Sequence, residues 1–191
     1  MHLPPLAREG KRIMSTGVRL PTRMHHHAFV VADQERTRHF YEDVIGLPLR
    51  ATWVEAEEYD GNKMEFSHTF YGLDDGSALA FFNFKDAAVQ KKFYAGAQPN
   101  LCYHIALSVD AETQQAITER CAAEGLKTNL MDHGYCKSLY VADPDGLLVE
   151  FTVDPPNVAE INSYQARIAR ESLKAWQAGD TRPNNKIRPH E

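Results

Sequence analysis

The sequence predicts an α+β fold: two βαβββ units whose curved sheets pair into one open, barrel-like surface around a cleft, with a C-terminal helix. Three observations carry this. The chain is one motif written twice, HHAFVVADQERTRHFYEDVIGL at 26–47 and HIALSVDAETQQAITERCAAEGL at 104–126. Each copy is followed by an Asp-Gly turn and a further apolar strand, DDGSALAFF at 74–82 and DPDGLLVEF at 143–151. Several strands also alternate bulky residues with small or polar ones, as a strand does when one face packs under helices and the other lines a cavity.

The elements follow in order. Residues 1–22 hold three prolines and no periodicity, and read as an extended arm. A first strand runs over about 24–32. Asp33 is placed to cap a helix over about 34–44, with Phe40, Tyr41, Val44 and Ile45 on its apolar face and Gly46 ending it. Strands at 49–58 and 63–71 join through Asp60-Gly61-Asn62, and Asp75-Gly76 leads into a strand at 77–84. A polar connector occupies about 85–100. The second unit repeats the order: strand 101–109, a helix from Asp110 to Glu124 ended by Gly125, then strands at 126–131, 136–142 and 146–153. Asp154-Pro155-Pro156 stops the last. Val158, Ile161, Tyr164, Ile168, Leu173 and Trp176 recur at roughly helical spacing, which predicts a docked helix over 157–178 before a loose last dozen residues. The expected organisation is therefore an arm at 1–22, a two-unit domain at 23–153 (units 23–86 and 100–153) and a helical extension at 154–191.

Composition narrows the function. The 191 residues are 43% apolar and 10% aromatic, enough for one domain of roughly 130 residues plus tails. A net charge of −5 without a basic stripe argues against nucleic acid as a partner. No apolar run approaches the ~18 residues that span a bilayer, and the N-terminus lacks the basic-then-apolar order of a secretory signal. Cys102, Cys121 and Cys136 are odd in number without CxxC pairing, as expected of free thiols in a cytoplasmic protein.

The chemistry lies on the smaller faces of the strands. His26 alternates with Phe29 and Val31, His104 with Ile105 and Leu107, and Glu150 with Val149 and Phe151. Two imidazoles and a carboxylate at matching places of a repeat form a donor set for a divalent cation with open positions, and Fe(II), Mn(II), Zn(II), Ni(II) and Co(II) all suit it. The plainer alternative is two hydrogen-bonded core histidines and a glutamate paired with lysine or arginine. A buried carboxylate facing two buried histidines with no cation is costly, however. A strand register shifted by one would put His25 or His27 in place of His26.

With these features the chain resembles the vicinal oxygen chelate superfamily over about 24–153, through HHAFVVAD…FYEDVIGL and YHIALSVD…DPDGLLVEF. That superfamily includes glyoxalase I, epimerases, fosfomycin- and bleomycin-resistance proteins and extradiol ring-cleaving dioxygenases. Glyoxalase-like and resistance members usually place a further carboxylate on the last strand of the first unit, where this chain reads Ser77-Ala78-Leu79-Ala80-Phe81-Phe82-Asn83. The remaining set, His26, His104 and Glu150, is similar to that of the extradiol branch. So is the run from His133 through Leu139-Tyr140 and Asp143-Pro144-Asp145-Gly146 to Glu150, with Met131 departing from the pattern.

The resemblance implies an Fe(II)-dependent ring-cleaving dioxygenase that takes a catechol-like vicinal diol and O2, as a homodimer. In it Tyr140 would hydrogen-bond a substrate oxygen beside the metal and His133 would donate from behind. The family's acid/base histidine has no counterpart at Gly76-Ser77, and His68 on the preceding strand is the available substitute. Trp53, Phe66, Phe70, Phe81 and Phe82 can line a ring-sized pocket or fill the core. The alternatives are a metal-dependent glyoxalase- or epimerase-like lyase or isomerase, and a non-catalytic small-molecule binding or resistance protein.

Overall fold

A computed structural model describes residues 21–59, 61–94 and 102–189. Most of the predicted arm, Asp60 of the first hairpin turn and the end of the 85–100 connector lie outside them. The described residues form two four-stranded sheets, with no closed barrel. The first takes the order β1-β4-β3-β2, from β1 (His26–Val30), β2 (Leu49–Tyr59), β3 (Asn62–Gly72) and β4 (Ala78–Phe84). The second repeats it as β5-β8-β7-β6, from β5 (His104–Ser108), β6 (Thr128–Asp132), β7 (Lys137–Ala142) and β8 (Leu148–Val153). In each sheet the unit's first and last strands pair in parallel and the others antiparallel.

Each first strand feeds a capped helix. Asp33 accepts from the amides of Glu35 and Arg36 and starts α1 (Gln34–Arg38), which widens into π-helical turns over His39–Ile45. Those turns keep Phe40, Tyr41, Val44 and Ile45 all buried. Gly46 closes them at φ +94, a left-handed conformation that glycine adopts without strain. Asp110 caps α3 (Ala111–Ala123) through the Thr113 amide. A helix that the sequence reading placed in a polar connector is α2 (Ala87–Tyr94). Asp86 starts it by accepting from Ala88 and Val89. Eight residues with Gln90, Lys91 and Lys92 inside give too little apolar period to be recognised.

The two units share one core. Val31, Tyr71, Leu79 and Phe81 of the first sheet lie in a single apolar cluster with Ile105, Leu107, Leu139, Val141, Val149 and Phe151 of the second. Phe40, Val44 and Ile45 from the first unit's helical segment and Ile117 and Cys121 from α3 join it. Polar ties cross the same junction. Arg120 donates to the carbonyls of Val44 and Ile45, Ala32 donates to Asp145, and the buried Tyr41 hydroxyl donates to Asp143 at 2.9 Å. The Asp-Pro-Asp-Gly turn is therefore a joint between the units as well as a turn. Asp143 also accepts from the Asp145 and Leu147 amides, while burial pushes its carboxyl above the usual range. Tyr41→Phe is expected to lower stability by about 1–3 kcal/mol in urea unfolding, because it strips one bond from a buried acceptor. An unchanged midpoint would show that this bond adds nothing.

Beyond β8 the predicted helix forms as α4 (Val158–Gln177), but none of its residues is buried, so it is not docked on its own core. Tyr164, Leu173 and Trp176 stay exposed. The tail, expected to be loose, returns to the second sheet: Asn185 donates to the His133 carbonyl and Arg188 to the Met131 sulfur. Gly134 admits it, since a side chain there would run into the Ile187 carbonyl. No described helix is long and apolar enough to cross a membrane.

Candidate metal centre

The second sheet assembles most of the predicted site on three neighbouring strands, β5, β8 and β7. Antiparallel pairing sets Tyr140 opposite Glu150, and parallel pairing sets Ala106 opposite Glu150, so His104 stands one residue pair away on the same face. Glu150 is 6% exposed. One of its oxygens meets His104 Nε2 at 2.9 Å, and the other accepts from the Tyr140 hydroxyl at 2.8 Å. Tyr140 in turn meets His133 Nε2 at 2.9 Å. The result is one chain of hydrogen bonds, His133–Tyr140–Glu150–His104. Burial and the neighbouring carboxylate push Tyr140 up to about 12, so at neutral pH it is a phenol and a donor. No lysine or arginine pairs with Glu150 among the described residues. Among the described residues its side-chain partners are the His104 imidazole and the Tyr140 hydroxyl, an environment that favours a bound cation.

The first sheet carries His26 on its open face. The His26 ring stands 5.2 Å from that of Phe70 and 5.8 Å from that of His68. Its Nδ1 is engaged with His25 Nδ1 at 2.7 Å, which leaves Nε2 for a ligand. His27 turns to the other face and packs on Phe29, as strand alternation required. His68 stacks on Phe82 at 3.6 Å, and its buried Nε2 has no hydrogen-bond partner among the described residues. Burial, and then the electrostatic influence of His26, hold it below the ordinary imidazole range. The sequence reading offered His68 only as a substitute; the unpartnered nitrogen could not be seen from spacing. Beside His26 lies a cavity of about 570 Å³ bounded by His25, Ala51, Trp53, Phe70 and Ala78, a volume that suits a small organic ligand. Of the aromatic residues considered for a pocket, Phe81 and Phe66 are buried in the core.

A single copy does not bring His26 to the other two candidate ligands. Both sheets turn their alternate residues into the shared core, so the faces with His26 and with His104–Glu150 both point away from it. Among the described residues no three His, Cys, Asp or Glu side chains lie close enough to hold an ion. A site completed within one polypeptide, one of the arrangements open to the sequence, is therefore not formed by the described residues of a single copy.

Duplicated βαβββ units with an imidazole on one open face and an imidazole–carboxylate pair on the other define a paired-unit, cleft-forming class of protein. The chain belongs to the glyoxalase/bleomycin resistance protein/dioxygenase superfamily, whose family model matches residues 23–151. No curated protein matches it. Among solved structures it is similar to the genomically encoded fosfomycin resistance protein FosX from Listeria monocytogenes, at 18% identity and a TM-score of 0.53, over 73% of this chain and 98% of that one. It is also similar to a glyoxylase/bleomycin resistance protein/dioxygenase domain from Frankia sp., at 16% identity and a TM-score of 0.52, over 72% and 94% of the two chains. At these identities the likeness concerns the fold.

Proposed function

We propose that this protein is a metal-dependent, extradiol-type ring-cleaving dioxygenase of catechol-like vicinal diols, working as a homodimer with Fe(II). His26 of one copy and His104 with Glu150 of a second copy hold the ion. The observation that carries this reading is the buried Glu150 carboxylate, tied to His104 and Tyr140 without a lysine or arginine on a face open to solvent. Because the first sheet's His26 face is equally open, two copies placed face to face complete the donor set twice, as an isologous dimer does.

When bound, the ion would favour the deprotonated diol and leave positions for two substrate oxygens and O2. The protein's own groups do the rest. Tyr140 holds a hydroxyl toward the site and stabilises developing oxyanion charge. His133 fixes that hydroxyl through their 2.9 Å hydrogen bond. Phe70 and Trp53 wall the ring cavity beside His26. His68 offers an imidazole on the same face.

The test is metal analysis of the purified protein combined with oxygen uptake on a panel of catechols. Near-stoichiometric iron with diol-dependent O2 consumption is expected. Anaerobic turnover of a diol without O2 consumption would instead establish the lyase or isomerase chemistry, and absence of bound metal would leave a binding protein.

A further inference from the structure

One cation borders the ring cavity without an ion pair among the described residues. Arg50 lines the same 570 Å³ space as His25, Trp53 and Phe70. It makes no hydrogen bond or ion pair among the described residues, and Asp74, which borders the same space, does not pair with it. An exposed arginine without a partner is ordinary by itself. Two local features make this one a placed group.

The first is a bulge. The β2–β3 register steps from Leu49 opposite Tyr71 to Ala51 opposite Phe70, so Arg50 is the extra residue of its strand. A bulge breaks the alternation of faces and re-aims a side chain. Here it falls between the Leu49–Tyr71 pair, where Tyr71 is buried in the core, and the Ala51–Phe70 pair on the open face. The second is a bed. Gly72, opposite Ala78 on β4, has no side chain, and the Arg50 stem lies across it. A Cβ at Gly72 would meet Arg50 Cγ at 2.7 Å, too close to be tolerated without displacing the arginine. Arg50 is thus held at the edge of a cavity to which Trp53 and Phe70 contribute aromatic rings, Phe70 being also the neighbour of His26.

We infer that the substrate is an acidic aromatic diol, a planar ring bearing a carboxylate, and that Arg50 binds that carboxylate while Trp53 and Phe70 flank the ring. This rests on the diol reading above and narrows it. A guanidinium suits a carboxylate because its N–H fork matches both oxygens. The ring then lies between the arginine and the ion-binding histidine, which sets the diol edge toward His26.

The experiment is anaerobic titration calorimetry of Fe(II)-loaded protein with 3,4-dihydroxybenzoate and with catechol, read as the ratio of the two affinities. The carboxylated diol is expected to bind about tenfold to a hundredfold more tightly, the span of a charge-assisted hydrogen-bonded pair. Arg50→Gln should collapse that ratio toward one, and Arg50→Lys should restore part of it. Gly72→Ala, which keeps the arginine but fills its bed, should lower the ratio as well. Equal affinities in the wild type, or a ratio that survives Arg50→Gln, would overturn the assignment while leaving the diol reading intact. If neither compound binds, the diol reading itself fails and takes this one with it.

Discussion

Glu150→Ala should strip the protein of metal and of diol-dependent turnover together. Loss of a residue that merely supports a ligand typically weakens metal binding 10–100-fold, so removing a ligand is expected to cost at least about 100-fold. The fold should survive, because Val149 and Phe151 on the core face of β8 are untouched and the vacated space lies on the open face. Elemental analysis, with circular dichroism as the control for folding, reads the outcome. Full iron content in a folded Glu150→Ala protein would remove the acid from the metal site, and with it the proposed chemistry. Glu150→Gln adds a finer comparison: it keeps the shape and the acceptor for Tyr140 while deleting the charge.

The second large effect concerns which chain supplies which ligand. His26→Ala and Glu150→Ala proteins should each be inactive alone yet recover activity when their chains are mixed. In a mixed dimer one interface joins the intact His26 of one chain to the intact His104 and Glu150 of the other, while the second interface carries both lesions. Random association makes half the dimers mixed, each with one working site of two, so about one quarter of wild-type activity is expected from isologous pairing. Native mass spectrometry can confirm that mixed dimers are present. Mixed dimers with no activity would mean that the two faces do not meet across copies.

How much of this was legible in the sequence depends on the range of each contact. Asp33 and Asp110 announced their helices, because a cap is a local contact between a side chain and amides two or three residues on. Tyr140, Glu150 and His104 fall together because adjacent strands, once paired, carry their residues onto one face at fixed spacing. The short helix α2 was missed, since its caps and charges gave no period to read. The Asp143 turn was seen as a turn, while its bond to Tyr41, 102 residues away, was invisible. The bulge that frees Arg50 was hidden for the same reason: one extra residue is detected only against the partner strand it fails to match.

The repeat in the amino-acid order was enough to determine two βαβββ units and the face of each strand that bears imidazole or carboxylate, because those follow from periodicity along a single strand. Whether the two faces would look toward each other depended on how the units pack. Burial of Ile105, Leu107, Val149 and Phe151 with Leu79, Phe81 and Ile45 in one core decided it. The largest apolar gain comes from joining the helix-covered sides of both sheets, and that joining turns the polar faces outward.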